Sequence, residues 1–314
     1  MSRIRPSHRR TRRALSAVAL LAVTAGVVTA CGEENSAAAK ASPKASPKAT
    51  ASAASGKGQA DASKLRMIDS GGHRVAFHIT AGHGPAIVLD SGGGEDSSYW
   101  KDIVPRLHAD TGATVITYDR AGLGQSEAVP GPWDVEGAVS DLKTGLTELG
   151  VTDDVILVSH SQAGEVATYF TSENPKMVSG SVLVDANLPP FFTDEEIARL
   201  AAASQPEVDA AKKDPDTPAN RQLIQTAENF TPAHQAYNKM SWPDSVPADV
   251  IVSEKTPFDG SPEDAQRWRD AAASFVQQAP NRTLVTATGS SHDVPKDRPD
   301  FVVDQIEKTV SAQG

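Results

Sequence analysis

One short stretch in the middle of the chain constrains the fold more than any other. Residues 155–167 read VILVSHSQAGEVA, an apolar run followed by small residues and then a helical pattern. Four consecutive apolar residues are typical of a strand that is buried on both faces of a sheet. Because Ser159, Ala163 and Gly164 are small, the backbone can turn sharply there from strand into helix. The stretch therefore predicts a tight corner with Ser161 at its tip.

The position of Ser161 makes it a candidate nucleophile. A serine hydroxyl is weakly nucleophilic until a neighbouring base removes its proton. A tight corner exposes the Oγ atom and directs nearby backbone N–H groups toward a substrate oxygen. The alternative is that Ser161 only caps the helix that follows it. The pentapeptide alone leaves both interpretations open.

The residues around Ser161 resemble the nucleophile elbow of the α/β-hydrolase family, which reads G-x-S-x-G. Ser159 and Ala163 stand where that pattern has its two glycines. The resemblance covers residues 65–314 and implies a mostly parallel central sheet with helices on both faces. It also implies a helical lid, inserted after the sixth strand at about residues 187–248.

The order of elements in residues 65–314 favours the same α/β fold. Apolar strand-like runs alternate with longer helical patterns, which is typical of a parallel sheet covered on both faces. The predicted strands are 74–80, 86–89, 115–118, 155–158, 182–184, 250–252 and 284–286. The predicted helices are 99–108, 135–149, 165–173, 262–278 and 301–310, with a further helical piece at 194–203.

A base for Ser161 is expected late in the chain. His292 follows the predicted strand 284–286 and a Gly-Ser-Ser turn, where the family carries its histidine. An imidazole suits this task because it titrates near neutral pH and can accept a proton and return it. His160, next to Ser161, is expected to point away from the site.

The acid that orients the histidine departs from the family's commonest arrangement. That acid usually follows the strand after the lid, where this chain has Thr256. Some family members carry it after the preceding strand instead, and Asp185 stands there. Asp185 is therefore the preferred acid, and Asp259 and Glu254 are the alternatives. The order Ser161, Asp185, His292 agrees with the family's Ser, acid, His.

A glycine run supplies the predicted oxyanion hole. Residues 90–94 read DSGGG and follow the predicted strand 86–89. By resemblance, the donors are the backbone N–H groups of Gly93, or else Gly94, and of Gln162. Nucleotide binding is excluded because neither the G-x-G-x-x-G spacing nor a P-loop lysine is present. In the later segment DRAGLGQS, Asp119 and Arg120 are expected to bond buried backbone groups or each other.

No metal or cofactor is expected, because the sequence lacks an H-E-x-x-H pair and a Cys/His cluster. Serine acyl transfer also requires no cofactor.

Removing the arginine-rich first 30 residues leaves 24 basic and 40 acidic residues, a formal charge of −16. Such a surface repels nucleic acid and anionic membranes.

The first 30 residues are predicted to be a signal peptide. Six arginines between Arg3 and Arg13 precede an uncharged run over residues 14–30. The following Cys31 resembles the lipid-bearing cysteine of bacterial lipoproteins, and an uncleaved membrane anchor is the alternative. Residues 31–64 are rich in Ala, Ser, Pro and Lys and are predicted to form a disordered tether. The protein is expected either at the outer face of the membrane, attached only through this lipid, or secreted into the medium. Both the general and the twin-arginine export routes stay open.

These features together predict a serine hydrolase that cleaves a small-molecule ester, or else an amide, through an acyl-enzyme. Two alternatives remain. A prolyl-aminopeptidase-like peptidase shares the fold and differs chiefly in its lid. A non-catalytic ligand-binding lipoprotein is favoured by the missing acid at Thr256 and by the altered elbow.

Overall fold

The computed structural model describes residues 63–258 and 260–313. The predicted signal peptide, the predicted lipidation at Cys31 and nearly all of the predicted tether lie outside the described residues. Asp259, one of the alternative acids, also lies outside them.

Eight strands of the described chain form one sheet. They are β1 Lys64–Ser70, β2 His73–Thr80, β3 Ala86–Asp90, β4 Thr114–Asp119, β5 Val155–His160, β6 Val178–Val184, β7 Ala248–Ser253 and β8 Arg282–Ala287. Their order across the sheet is β1-β2-β4-β3-β5-β6-β7-β8. Strands β3 to β8 are parallel, and β2 pairs antiparallel with both β1 and β4. The carboxyl ends of the parallel strands therefore meet at one edge, where a site can form.

Helices cover both faces of this sheet. They are α1 Val104–Thr111, α2 Val135–Glu148, α3 Ala163–Glu173, α4 Asp194–Ala211, α5 Pro218–Tyr237, α6 Pro262–Gln277, α7 Val294–Asp297 and α8 Pro299–Gln313. One apolar core contains side chains of α2, α3 and α6, and a second contains side chains of α1 and α8. The predicted fold class, a mostly parallel sheet with helices on both faces, is confirmed.

The predicted helix over residues 99–108 is interrupted. The structure has a short 3₁₀ helix at Ser97–Trp100, followed by a turn, and α1 begins only at Val104. Pro105 lies in the first turn of α1, where its missing N–H costs nothing. The apolar periodicity of this stretch continues across both pieces, which is why the sequence suggested one helix.

Two long helices, α4 and α5, lie between β6 and β7. Phe230 and Tyr237 of α5 belong to the same core as α3. The inserted segment also bonds the loop before α2, because Trp133 N donates to Gln225 O at 3.0 Å. These contacts attach the insert to the face of the sheet that α2 and α3 cover.

Gly164 fixes how closely α3 approaches the end of β6. A Cβ atom at this position would lie 2.3 Å from Asn187 O and 2.8 Å from Ala186 Cβ. Such distances are forbidden, so only glycine permits this approach. The first turn of α3 is thereby held against the segment that follows Asp185.

Candidate active site

The strand-to-helix corner at Ser161 is strained. Ser161 has φ +54°, in the left-handed region that non-glycine residues rarely occupy. Two backbone contacts hold this conformation: Ser161 N donates to Val184 O at 3.3 Å, and Ser161 O accepts from Asn187 N at 2.8 Å. Both partners belong to β6 or to the chain just after it. Hydrogen bonds to β6 and to the segment after it therefore hold Ser161 at the tip of the predicted corner.

The structure brings the three predicted triad residues together. His292 Nε2 lies 2.8 Å from Ser161 Oγ, and His292 Nδ1 lies 2.7 Å from Asp185 Oδ2. A carboxylate only accepts hydrogen bonds, so Nδ1 carries the ring hydrogen in the neutral imidazole. Nε2 is then the acceptor that faces the serine hydroxyl. This geometry allows His292 to take the Ser161 proton; the catalytic roles themselves stay predictions.

Asp185 is fully buried, and its carboxylate accepts four hydrogen bonds. Besides His292, its Oδ2 accepts from Ser253 Oγ at 2.6 Å. Its Oδ1 accepts from Ser253 N at 3.0 Å and from Trp268 Nε1 at 2.8 Å. Burial raises the pKa of Asp185, but these donors and the charge of His292 outweigh it, so the pKa lies below its ordinary value. The carboxyl group is therefore ionised at neutral pH.

Neither Glu254 nor Thr256 forms a hydrogen bond with the His292 imidazole. Glu254 Oε2 accepts from Gly289 N at 2.5 Å, so this carboxylate braces the turn that precedes His292. The Thr256 hydroxyl accepts from Phe258 N at 3.2 Å. Only Asp185, among these described candidates for the acid, contacts His292.

The glycine run lies against the elbow. A Cβ on Gly93 would come within 2.8 Å of Gln162 Oε1, and one on Gly92 within 3.3 Å of Ser161 Cβ. Within residues 63–258 and 260–313, neither the Gly93 N–H nor the Gln162 N–H donates a hydrogen bond to another protein group. Both amides are therefore available to a substrate oxygen.

Arg120 holds the glycine run in place through hydrogen bonds. Its guanidinium donates to the Asp90 carboxylate and to the carbonyl oxygens of Ser91 and Gly92. Asp119 accepts instead from the backbone N–H groups of Ser97 and Gln125, each at 2.8 Å. The two residues satisfy backbone groups, as predicted, and do not pair with each other.

His160 does not point away from the site, contrary to the sequence prediction. Its ring centroid lies 4.8 Å from that of His292 and 4.9 Å from that of Tyr99. Its Nε2 donates to the His292 carbonyl oxygen at 3.0 Å. Burial and the neighbouring His292 lower the pKa of His160 to about 3, so the ring is neutral. The prediction was wrong because the loop carrying His292 crosses the end of β5 on the side that His160 faces.

A buried polar cluster joins α3 to the insert. Glu165 Oε1 accepts from Asn187 Nδ2 at 2.6 Å and lies 3.2 Å from His234 Nε2 on α5. His234 Nδ1 donates to Phe230 O at 2.7 Å, so both ring nitrogens face acceptors. Although burial lowers the pKa of His234, the charge of Glu165 outweighs it and the pKa is raised above its ordinary value. An imidazole that carries hydrogen on both nitrogens satisfies both of these contacts.

Replacing His234 with glutamine should remove a pH-dependent part of the stability. Because the folded-state pKa of His234 is raised, its stabilisation is fully present below its ordinary pKa of about 6.5. It is lost as pH rises through the folded-state value. We expect His234→Gln to lower the free energy of unfolding by about 1.5 to 3 kcal/mol at pH 6, and by less at pH 9. Urea unfolding followed by tryptophan fluorescence measures this difference, with exposed His83→Gln as the control. If the free energy of unfolding changed with pH in the same way for His234→Gln and the parent, this prediction would be contradicted.

Two kinds of feature are absent from the part of the chain that the structure describes. No group of three or more His, Cys, Asp or Glu side chains there could hold a metal ion. None of the helices there is both long and apolar enough to span a membrane.

Comparisons with known proteins agree with this architecture. Residues 87–305 match the model of the family described as "Alpha/beta hydrolase family". An uncharacterized protein of Mycobacterium tuberculosis is 36% identical over 115 residues, which are 37% of this chain and 33% of that protein. A soluble epoxide hydrolase of Corynebacterium is 32% identical over 114 residues, 36% of this chain and 38% of that enzyme. The chain thus matches only about a third of the length of these curated relatives.

A solved structure shows the same fold at low sequence identity. A thermophilic esterase from Thermogutta terrifontis superposes with a TM-score of 0.54 over 80% of this chain and 99% of that chain. The two sequences are 22% identical, so the likeness concerns the fold alone.

Proposed function

We propose that this chain, which belongs to the alpha/beta hydrolase family, is a serine hydrolase that cleaves small-molecule carboxylic esters through an acyl-enzyme. The observation that carries the proposal is the continuous hydrogen-bonded chain from Ser161 Oγ through His292 to the buried Asp185. A nucleophile, a base and an orienting acid in this order are what acyl transfer requires.

In the first half of the proposed reaction, His292 Nε2 takes the proton of Ser161 while Oγ attacks the ester carbonyl carbon. Asp185 stabilises the imidazolium that forms, without itself taking the proton. The imidazolium then protonates the departing alkoxide, and the C–O bond to the alcohol breaks. Ser161 is left acylated. In the second half, His292 takes a proton from water, the hydroxide attacks the acyl carbon, and Oγ leaves with the proton returned by His292.

The oxyanion of each tetrahedral intermediate is proposed to bind the backbone N–H groups of Gly93 and Gln162. Gln162 follows Ser161 directly, Gly93 lies against the Gln162 side chain, and neither amide donates to another group of the described chain. Each such donor typically contributes on the order of a hundredfold to a thousandfold in rate. Arg120 supports this arrangement because its bonds to the Ser91 and Gly92 carbonyls hold the loop in place.

We propose further that the enzyme acts outside the cytoplasm. The arginine-rich start, the uncharged run that follows and Cys31 support export and lipid attachment, with residues 31–64 as the tether. The hydrolase domain would then comprise residues 65–314, with the lid at about 187–248.

A fluorophosphonate probe tests the proposed activity directly. The serine Oγ of an activated serine attacks the phosphorus of such a probe and displaces fluoride, so we expect folded protein to be labelled at Ser161 and heat-unfolded protein to remain unlabelled. Mass spectrometry of the labelled peptide identifies the modified residue. Absence of labelling on folded protein would favour the non-catalytic alternative. Turnover of a proline anilide but not of a p-nitrophenyl acyl ester would favour the peptidase.

A further inference from the structure

The acid of the triad is surrounded by donors that come from three different elements. Ser253 at the end of β7 supplies its backbone N–H and its hydroxyl, Trp268 of α6 supplies its indole N–H, and His292 supplies Nδ1–H. Each carboxylate oxygen of Asp185 therefore accepts two hydrogen bonds. In a fully buried position these bonds decide how much negative charge remains to face the imidazole.

The Trp268 indole has no freedom to turn away from Asp185. The side chain is 3% exposed. Its ring packs edge-on against Phe191, with the centroids 4.9 Å apart, and against Phe258 at 5.9 Å. The same ring stands edge-on to His292 at 6.3 Å. An indole nitrogen can only donate, so the Trp268 N–H is a permanent partner of Asp185 Oδ1.

We propose that Trp268 and Ser253 are positioning residues, which orient Asp185 and limit the negative charge that it presents to His292. This inference rests on the proposed hydrolase function. Strand β7 and helix α6 thus supply three of the four donors that surround this carboxylate.

Loss of the indole N–H has a definite electrostatic consequence. Asp185 Oδ1 keeps only the Ser253 N–H, so the carboxylate becomes more basic and stabilises the protonated imidazole more strongly. The protonated imidazole, which cannot act as the base, is then favoured over the neutral one. The other titratable groups around His292 keep their contacts in such a variant; they are His160, Tyr99, Asp293 and Glu95, the last two paired with Lys296.

The experiment compares Trp268→Phe with Trp242→Phe. We expect Trp268→Phe to lower kcat/KM about tenfold at neutral pH and to move the acidic limb of its pH profile to higher pH. Trp242 is the matched control, because its buried indole N–H also makes one bond, to the Val246 carbonyl at 2.9 Å, and its ring packs on Phe275. Trp242→Phe should lose comparable stability and keep the parent's pH profile.

Ser253→Ala is the second variant, because it removes only a hydroxyl and keeps the backbone N–H. It should shift the acidic limb in the same direction as Trp268→Phe. If the pH profiles of kcat/KM of both variants, scaled to the same maximum, superposed on the parent's profile, the inference would be overturned. Such a result leaves the proposed function intact as long as Ser161→Ala is inactive. Full activity of Ser161→Ala would instead overturn the proposed function itself.

Discussion

We expect the replacement of Ser161 with alanine to abolish the proposed ester hydrolysis, with a fall in kcat of about a millionfold. The hydroxyl oxygen is the only atom of Ser161 that faces His292 Nε2, at 2.8 Å. Its removal leaves the base without a proton to take and the substrate without a nucleophile. The remaining rate then comes from binding and from the oxyanion hole alone. Initial rates with a p-nitrophenyl ester, compared with the uncatalysed reaction, measure this loss.

Ser181→Ala is the matched control for the loss of a buried hydroxyl. Ser181 lies on β6 of the same sheet, is fully buried and donates to Leu157 O at 3.0 Å. We expect this variant to lose about 1 kcal/mol of stability and to keep its activity within a few-fold. If Ser161→Ala hydrolysed the ester at the parent's rate, a different group would carry the reaction.

The fold could be predicted from the sequence because local and long-range signals agree. Outside the inserted segment, the short β-branched runs and the longer helical patterns alternate along the described part of residues 65–314, and all but one appear in the structure as the expected type of element. The exception, the single helix over residues 99–108, arose where an apolar pattern continues across a turn. Within the inserted segment the piece 194–203 was assigned from the sequence, and α5 was not. Periodicity records which side chains are buried and does not record where backbone hydrogen bonds stop.

The candidate site was predictable only in part. Ser161, Asp185 and His292 each follow a predicted strand, so the meeting of strand ends at one sheet edge explains why the three come together. Trp268 carried no such signal, and the position of His160 after the predicted strand 155–158 did not show which way its ring points. Trp268 lies within an ordinary amphipathic helix, and its N–H meets Asp185 only because α6 packs across the end of β7. His160 was misjudged because its partner is a loop backbone more than a hundred residues away.

The identity of the acid is decided by Asp185→Asn, for which we expect kcat to fall on the order of ten-thousandfold. The Oδ1 side of Asp185 faces two permanent donors, the Ser253 N–H and the Trp268 indole N–H. An amide NH₂ cannot face them, so it is driven to the side of His292 Nδ1. There Nδ1 must accept instead of donate, and the ring hydrogen moves to Nε2. An Nε2 that carries hydrogen cannot take the Ser161 proton.

Glu254→Gln is the matched acid-to-amide control. Its amide oxygen can still accept from Gly289 N, so the turn before His292 is kept and activity should stay within a few-fold of the parent. Asp259→Asn tests the remaining candidate in the same assay. Nitrogen-15 spectra of the histidine rings provide an independent readout, because Asp185→Asn should change which nitrogen of His292 carries hydrogen. If Glu254→Gln or Asp259→Asn were inactive while Asp185→Asn kept its rate, Asp185 would not be the acid, and the donors around it would serve the fold alone.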